Sequence, residues 1–272
     1  MQGKQEVMWP RLVANKILKK RLGSSNFVAD FPNTTETMLE TPSLHQESRS
    51  LNTLFNDQKA THKYKVFVST WNIGGIAPPE DLNMEDWLDT RANSCDIYVL
   101  GFQEVVPLSA GNVLGSESSR ISMKWNSLIR AALNKKISTP DLQKVYPVED
   151  PNTIERSSAP QNFRCIISKQ MVGILVSVWI RNDLRQYIRY PSVSCVGCGI
   201  MGCLGNKGSV SVRFCLHETS FCFVCSHLAS GGKEGDERHR NADASEILSR
   251  TCFPRGPSLD LPRKILDHEY VN

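Results

Sequence analysis

A lysine, a histidine and several arginines between Cys195 and Asn241 are spaced as anion-binding chemistry requires. The stretch reads CVGCGIMGCLGNKGSVSVRF, then a short polar break, then SFCFVCSHLASGGKEGDERHRN. A glycine-rich loop closes on Asn206-Lys207-Gly208 and feeds a strand expected over Ser209–Leu216. A second expected strand, Ser220–Ser226, delivers His227 at its end, and an Ala-Ser-Gly-Gly loop then leads into the basic segment holding Arg240 and Asn241. Glycines let backbone N–H groups turn toward an anion, and lysine adds a compact positive charge. The combination suits a phosphorylated ligand.

An acidic counterpart lies upstream. Tyr64–Thr70 reads as a strand ending in Trp71-Asn72-Ile73-Gly74-Gly75, and the apolar run Asp96–Phe102 reads as another, handing off Gln103-Glu104. Neighbouring strands would place Asn72 and Glu104 at one edge of one sheet. Carboxylate and amide oxygens are hard ligands suited to magnesium, which binds few protein groups and keeps waters for substrate phosphates. The plainer alternative, in which Asn72 caps a turn and Glu104 is a surface residue, is equally open from these residues alone.

Composition bounds the rest. The chain has 272 residues, 40% hydrophobic and 22% charged, enough for one large domain or two small ones with a buried core. A formal charge of +4 is too mild for bulk nucleic-acid binding, and no nucleic-acid partner is expected. It does suit a local basic site for a small anion or a lipid headgroup. The sequence shows no apolar run of transmembrane length. Its first twenty residues lack the uninterrupted apolar core of a signal peptide. A cytoplasmic location is the default expectation, with peripheral membrane contact and the nucleus also open, and oligomeric state is undetermined.

Nine cysteines include Cys195-x-x-Cys198 and Cys222-x-x-Cys225, superficially a zinc pattern. The second pair sits in a strand-like run, where side chains three apart point to opposite faces and cannot share a metal. Buried, reduced thiols are the expected state.

Around these motifs, residues 1–60 read as a leader and disordered linker, with a short basic amphipathic helix over Trp9–Leu22 that could dock on a membrane surface or stay solvated. The folded domain is expected over 61–272. A short helix is expected over Asp86–Arg91 and a longer one over Ser122–Leu133, with Trp125, Leu128, Ile129 and Leu133 on one face. Lys135–Asn162 reads as a surface loop. Three strands follow, Phe163–Ser168, Val172–Ile180 and Tyr187–Val196, whose short connections at Lys169-Gln170 and Arg181-Asn182-Asp183 suggest antiparallel hairpins. Arg238–Arg250 reads as a helix with Ala242, Ile247 and Leu248 apolar, and no further strand is expected before Asn272.

Four motifs in this order carry a resemblance: Ser69-Thr70-Trp71-Asn72-Ile73-Gly74, Leu100-Gly101-Phe102-Gln103-Glu104-Val105-Val106-Pro107-Leu108, Gly205-Asn206-Lys207-Gly208, and Cys225-Ser226-His227-Leu228-Ala229-Ser230-Gly231 with Arg240-Asn241. Together they resemble the inositol polyphosphate 5-phosphatases, most nearly the plant type I members, across roughly Tyr64 to Cys252. The resemblance implies an α+β fold, a two-sheet β-sandwich flanked by helices, shared with exonucleases and apurinic endonucleases. It implies magnesium-dependent attack of water on the 5-phosphate of an inositol polyphosphate or phosphoinositide headgroup. By that analogy Glu104 holds the metal with Asn72 beside it, and His227 donates to a phosphoryl oxygen. Asn206, Lys207, Arg240 and Asn241 line the phosphate-binding rim.

The family's second half carries Gly-Asp-x-Asn, Trp-Cys-Asp-Arg and Ser-Asp-His motifs that are not found here. The one Gly-Asp pair, Gly235-Asp236, continues into Glu237-Arg238, and Asp267-His268 follows Leu266. The expectation is therefore a shortened catalytic domain, incomplete at the C-terminus, with weak or no turnover. A non-catalytic headgroup-binding or regulatory fragment is the alternative, and a nuclease of the same superfamily is a second.

Overall fold

The computed structural model describes residues 61–90, 94–107, 119–135, 162–199, 206–255 and 261–272. The readings made for residues 1–60, for most of the loop between Lys135 and Asn162, and for Arg91 and Gly205 lie outside them.

Two four-stranded sheets stack face to face. The first holds β1 (Val66–Asn72), β2 (Ile97–Gln103), β3 (Phe163–Met171) and β4 (Ile174–Arg181) in the order β1-β2-β4-β3. The second holds β5 (Ile188–Gly197), β6 (Gly208–Leu216), β7 (Thr219–His227) and β8 (Tyr270–Val271) in sequential order. β1 and β2 are parallel, as are β7 and β8, and the other pairings are antiparallel. β2 is buried on both faces, which explains its continuous apolar run. Its Ile97 and Val99 join Val176, Val178, Val210, Val212 and Phe223 between the sheets, while Tyr98, Leu100 and Phe102 face outward. Each fully buried side chain of this kind contributes about 1.5–3 kcal/mol, so the inter-sheet layer far outweighs the surface ion pairs.

Helices cover both outer faces. α1 (Glu85–Leu88) and α2 (Ser119–Leu133) cover the first sheet, with Trp125, Ile129 and Leu133 buried and Leu128 packed beside them as their spacing predicts. α3 (Asp236–Arg250) covers the second, where Ile247 packs with Val196, Cys222 and Phe253.

Four expectations are corrected. Lys169 and Gln170 are buried strand residues, and the β3–β4 turn instead falls at Val172-Gly173, between the paired Met171 and Ile174. β4 and β5 form no hairpin but belong to different sheets. A 3-10 turn over Asn182–Tyr187 carries the chain across, with Leu184 buried beneath it and Arg181 paired to Asp96 and Asp183. Tyr270–Val271 does form a strand, because Asn272 and β7 exchange main-chain bonds: Val224 N–H to Asn272 O at 2.7 Å and Asn272 N–H to Cys222 O at 3.0 Å. On α3, Ala242 is exposed and Leu248 is 44% exposed. The side turned to the protein carries Asp243, Ile247 and Arg250, at i, i+4 and i+7.

Candidate active site

The acidic half is built at the ends of two parallel strands. Register pairs Asn72 with Gln103, so Glu104 follows directly beyond β2. Glu104 sits at φ 57°, in the left-handed region, which costs an L residue about 1–2 kcal/mol. Main-chain bonds on both sides hold it there: Gly75 N–H donates to Glu104 O at 2.7 Å, and Val105 N–H donates to Gly173 O at 3.0 Å. Asn72 Nδ2 donates to Glu104 Oε1 at 3.1 Å, while Asn72 Oδ1 accepts Gly74 N–H at 3.0 Å. Asn72 thus caps its turn, as the plainer alternative expects, and also orients the carboxylate.

The basic half is built on the second sheet. Gly208 pairs with Gly197 on β5 and with His227 on β7. Its φ is 140°, and a Cβ there would lie 2.9 Å from Gly197 Cα and nearer still to Val196 O, so only glycine fits. The preceding Lys207 is fixed by Cys198 N–H donating to its carbonyl at 2.9 Å. Lys207 Nζ lies 2.9 Å from His227 Nε2, Asn206 Nδ2 lies 3.5 Å from the same nitrogen, and Glu104 Oε1 lies 3.4 Å from it. Burial lowers the pKa of His227, Lys207 lowers it further, and Glu104 opposes both. The neutral ring then accepts from Lys207 at Nε2 and carries its proton on Nδ1. Burial also lowers the pKa of Lys207, against Glu104 and Asp243.

Asn72, Glu104, Asn206, Lys207 and His227 are therefore brought together from both sheets. Arg240 and Asn241 are not part of that hydrogen-bonded cluster. Arg240 Nη1 donates to Gly231 O at 2.9 Å, clamping the loop that follows His227, and Asn241 is exposed on α3.

Two contacts were not anticipated from the sequence. Gln103 is buried, and its Nε2 donates to Thr70 Oγ1 at 2.7 Å and to Ser226 O at 3.3 Å, tying β1, β2 and β7 together beneath the cluster. The signal was a polar residue closing an otherwise apolar strand. Asp243 Oδ2 accepts Ala229 N–H at 2.7 Å, anchoring α3 to the loop beyond His227. Its spacing from Ile247 and Arg250 was the available clue.

The side chains fit a hard divalent cation at Glu104, a carboxylate 36% exposed with Asn72 fixing one of its oxygens. Asn72 presents its amino group to that carboxylate and its oxygen to Gly74, so it serves here as the orienting group. Among the described residues no three His, Cys, Asp or Glu side chains converge on a metal position. One protein carboxylate is still consistent with magnesium, which retains most of its waters.

A carboxylate, a histidine, a lysine and two amides are thus gathered at one end of a two-sheet sandwich. The Endonuclease/Exonuclease/phosphatase family 2 pattern matches residues 69–271. The type IV inositol polyphosphate 5-phosphatase 9 of Arabidopsis thaliana is 65% identical over 269 residues, which is 97% of this chain and 62% of that relative. The type I inositol polyphosphate 5-phosphatase 4 of the same plant is 33% identical over 98% of this chain and 70% of its own. Among solved structures, the inositol polyphosphate 5-phosphatase domain of SPsynaptojanin, in complex with inositol (1,4)-bisphosphate and calcium ion, matches with TM-score 0.56 and 27% identity, covering 76% of this chain and 50% of that one. The chain belongs to the inositol polyphosphate 5-phosphatase family. Relatives named type I and type IV both match, the latter with the higher identity of the two described.

Proposed function

We propose that this chain forms the carboxylate and phosphate-binding part of a magnesium-dependent site that removes the 5-phosphate from inositol polyphosphates or phosphoinositide headgroups. The observation that carries this reading is the convergence of Glu104, Asn206, Lys207 and His227, supplied by both sheets, around one ring nitrogen. A divalent cation held by Glu104 would supply Lewis-acid polarisation of a phosphoryl oxygen. A phosphate entering the cluster takes Lys207 and Asn206 as donors in place of the imidazole. As an anion it raises the proton affinity of His227, so that Nε2–H donates to the phosphate where negative charge develops. Arg240 acts on the rim by shaping the Gly231 loop.

Turnover by the 272-residue chain alone is slow in this reading. The Gly-Asp-x-Asn residues that handle the attacking water in the resembling family do not occur in this sequence. Losing members of a catalytic unit costs roughly three or more orders of magnitude. The chain also spans only 62% of the length of its 65%-identical relative. A headgroup-binding role without catalysis is the second reading, favoured by the same missing motif.

The test is phosphate release from inositol trisphosphate with and without magnesium, alongside headgroup titration. Glu104→Gln should remove any magnesium-dependent release, and Lys207→Ala should weaken headgroup binding about tenfold, the scale of one charge-assisted hydrogen bond. Equal affinities for Lys207→Ala and the unaltered chain would remove the phosphate assignment. Headgroup binding without release would favour the non-catalytic role.

A further inference from the structure

One side of α3 reaches both of the chain segments that carry Lys207 and His227. The stripe is Arg240, Asp243, Ile247 and Arg250, spaced so that all four share a helix face. Toward the Lys207 arm, Arg250 Nη1 donates to Gly197 O at 2.9 Å, and Gly197 pairs with Gly208. Cys198 donates its N–H to Lys207 O at 2.9 Å and its thiol to the Asp243 carbonyl at 3.7 Å. Toward the His227 arm, Asp243 Oδ2 accepts Ala229 N–H at 2.7 Å, and Arg240 Nη1 donates to Gly231 O at 2.9 Å. Ile247 is buried between the two, in the cluster that holds Val196 and Leu228.

Asp243 is the member of this stripe that touches both arms. β6 and β7 are paired as far as Gly208 and His227, where their ladder ends, so Lys207 and Leu228 lie just beyond it. Past that point Asp243 closes a circuit. Lys207 is bonded to Cys198, Cys198 to Asp243, and Asp243 to Ala229, which leads back through Leu228 to His227. His227 Nε2 then meets Lys207 Nζ at 2.9 Å. Burial lowers the pKa of Lys207, and Glu104 and then Asp243 oppose it, which puts the Asp243 carboxylate within electrostatic reach of the lysine. Lysine is a charge on a flexible stem, so where its ammonium sits depends on what fixes the chain around it. A misplacement of about 1 Å at such a site is costly. We infer that Asp243 is a positioning residue for phosphate binding, bolting the Lys207 and His227 arms to α3 where strand pairing no longer holds them. This rests on the function proposed above and adds a residue that acts on the ligand only through those arms.

The test titrates the unaltered chain and Asp243 variants with inositol trisphosphate at fixed salt. Asp243→Ala should bind roughly tenfold more weakly, the scale of one charge-assisted hydrogen bond. It should also lose protection from hydrogen exchange at the Ala229 amide. Asp243→Asn keeps an oxygen acceptor in the same place and should stay within about threefold of the unaltered chain. Because Asp243 acts through Lys207, adding Asp243→Ala to Lys207→Ala should weaken binding by less than about twofold more. A merely structural anchor would lower the urea midpoint and leave affinity unchanged. That outcome, additive losses in the double variant, or an Ala229 amide still protected in Asp243→Ala would each overturn the inference. Where Asp243→Ala fails to fold, Asp243→Glu takes its place: it keeps the charge, displaces the carboxylate by one carbon and should bind roughly tenfold more weakly. A Glu variant that binds as well as the Asn variant would overturn the inference. If the unaltered chain binds no headgroup, the proposed function falls, and the nitrogen chemical shift of His227 Nε2 at neutral pH decides the positioning role. It should move in Asp243→Ala, or in Asp243→Glu, as it does in Lys207→Ala, and hold in Asp243→Asn; an unmoved shift would overturn the inference.

Discussion

Lys207 Nζ meets His227 Nε2 at 2.9 Å, although the two residues come from different strand ends and both carry lowered pKa values. The contact places a cation against the lone pair of a neutral imidazole, and it adds to burial in lowering the His227 pKa.

Removing the lysine charge should raise the His227 pKa, and Glu104→Gln should lower it further, since Glu104 is the opposing influence. An imidazole titration followed by NMR in Lys207→Ala and Glu104→Gln would show shifts of opposite sign. A downward shift in Lys207→Ala would refute the arrangement.

Stability should fall on the acid side. His227 and His268 both have lowered pKa values, chiefly through burial. A histidine free in the unfolded chain takes its proton near pH 6.5, while these two resist until lower pH. Their contribution is present above that value and is lost as pH falls through the folded-state pKa values. Urea midpoints measured from pH 7.5 to 5 should therefore decline, and replacing His268 with glutamine should flatten the decline. A pH-independent midpoint would count against it.

Gly208→Ala should destabilise the chain by about 3 kcal/mol or more, because strain at a positive φ adds to a clash with the Val196–Gly197 backbone. Denaturant unfolding measures this directly. A loss under about 1 kcal/mol would mean that β5 yields easily, and that the Lys207–His227 register is soft.

Gln103→Leu should cost about 1–3 kcal/mol by leaving the buried partners of its amide unmet. The same loss should appear with or without headgroup, since Gln103 lies beneath the cluster. A variant of unchanged stability would show that Gln103 does not tie the two sheets.

Thiol reactivity should sort by burial. The pKa of Cys222 is pushed up to about 12, and those of Cys225 and Cys198 to about 11, by desolvation first in each case. Cys252 is exposed. Under native conditions a thiol reagent should label Cys252 first and Cys222 last among these four, as peptide mass spectrometry would show. Rapid labelling of Cys222 would contradict its placement.

Much of the site was legible because its chemistry sits where strands end. The apolar runs before Asn72, Glu104 and His227 fixed where each residue emerges, and the parallel pairing of β1 and β2 followed. Cys222 and Cys225 do face opposite ways, one toward α3 and the other between the sheets. Harder to read were features that depend on which sheet a strand joins. The polar pair Lys169-Gln170 looked like a turn because burial of those side chains is a tertiary outcome. Arg181-Asn182-Asp183 looked like a hairpin loop because a change of sheet leaves no local mark beyond buried Leu184. Tyr270–Val271 was too short to show a period, and only its bonds to β7 reveal it. On α3 Leu248 carries the more conspicuous apolar signal, although Asp243 and Arg250 make the contacts.

Glu104 owes its place to peptide groups: Gly75 below it, Gly173 beside it and the strand end before it. Apart from Asn72, which orients the carboxylate, and Gly75, whose φ of 75° and close approach to Pro107 favour glycine, the loops around it can therefore vary in side-chain identity so long as their peptide geometry persists. Loop transplants between family members should keep the carboxylate in position while changing what surrounds it.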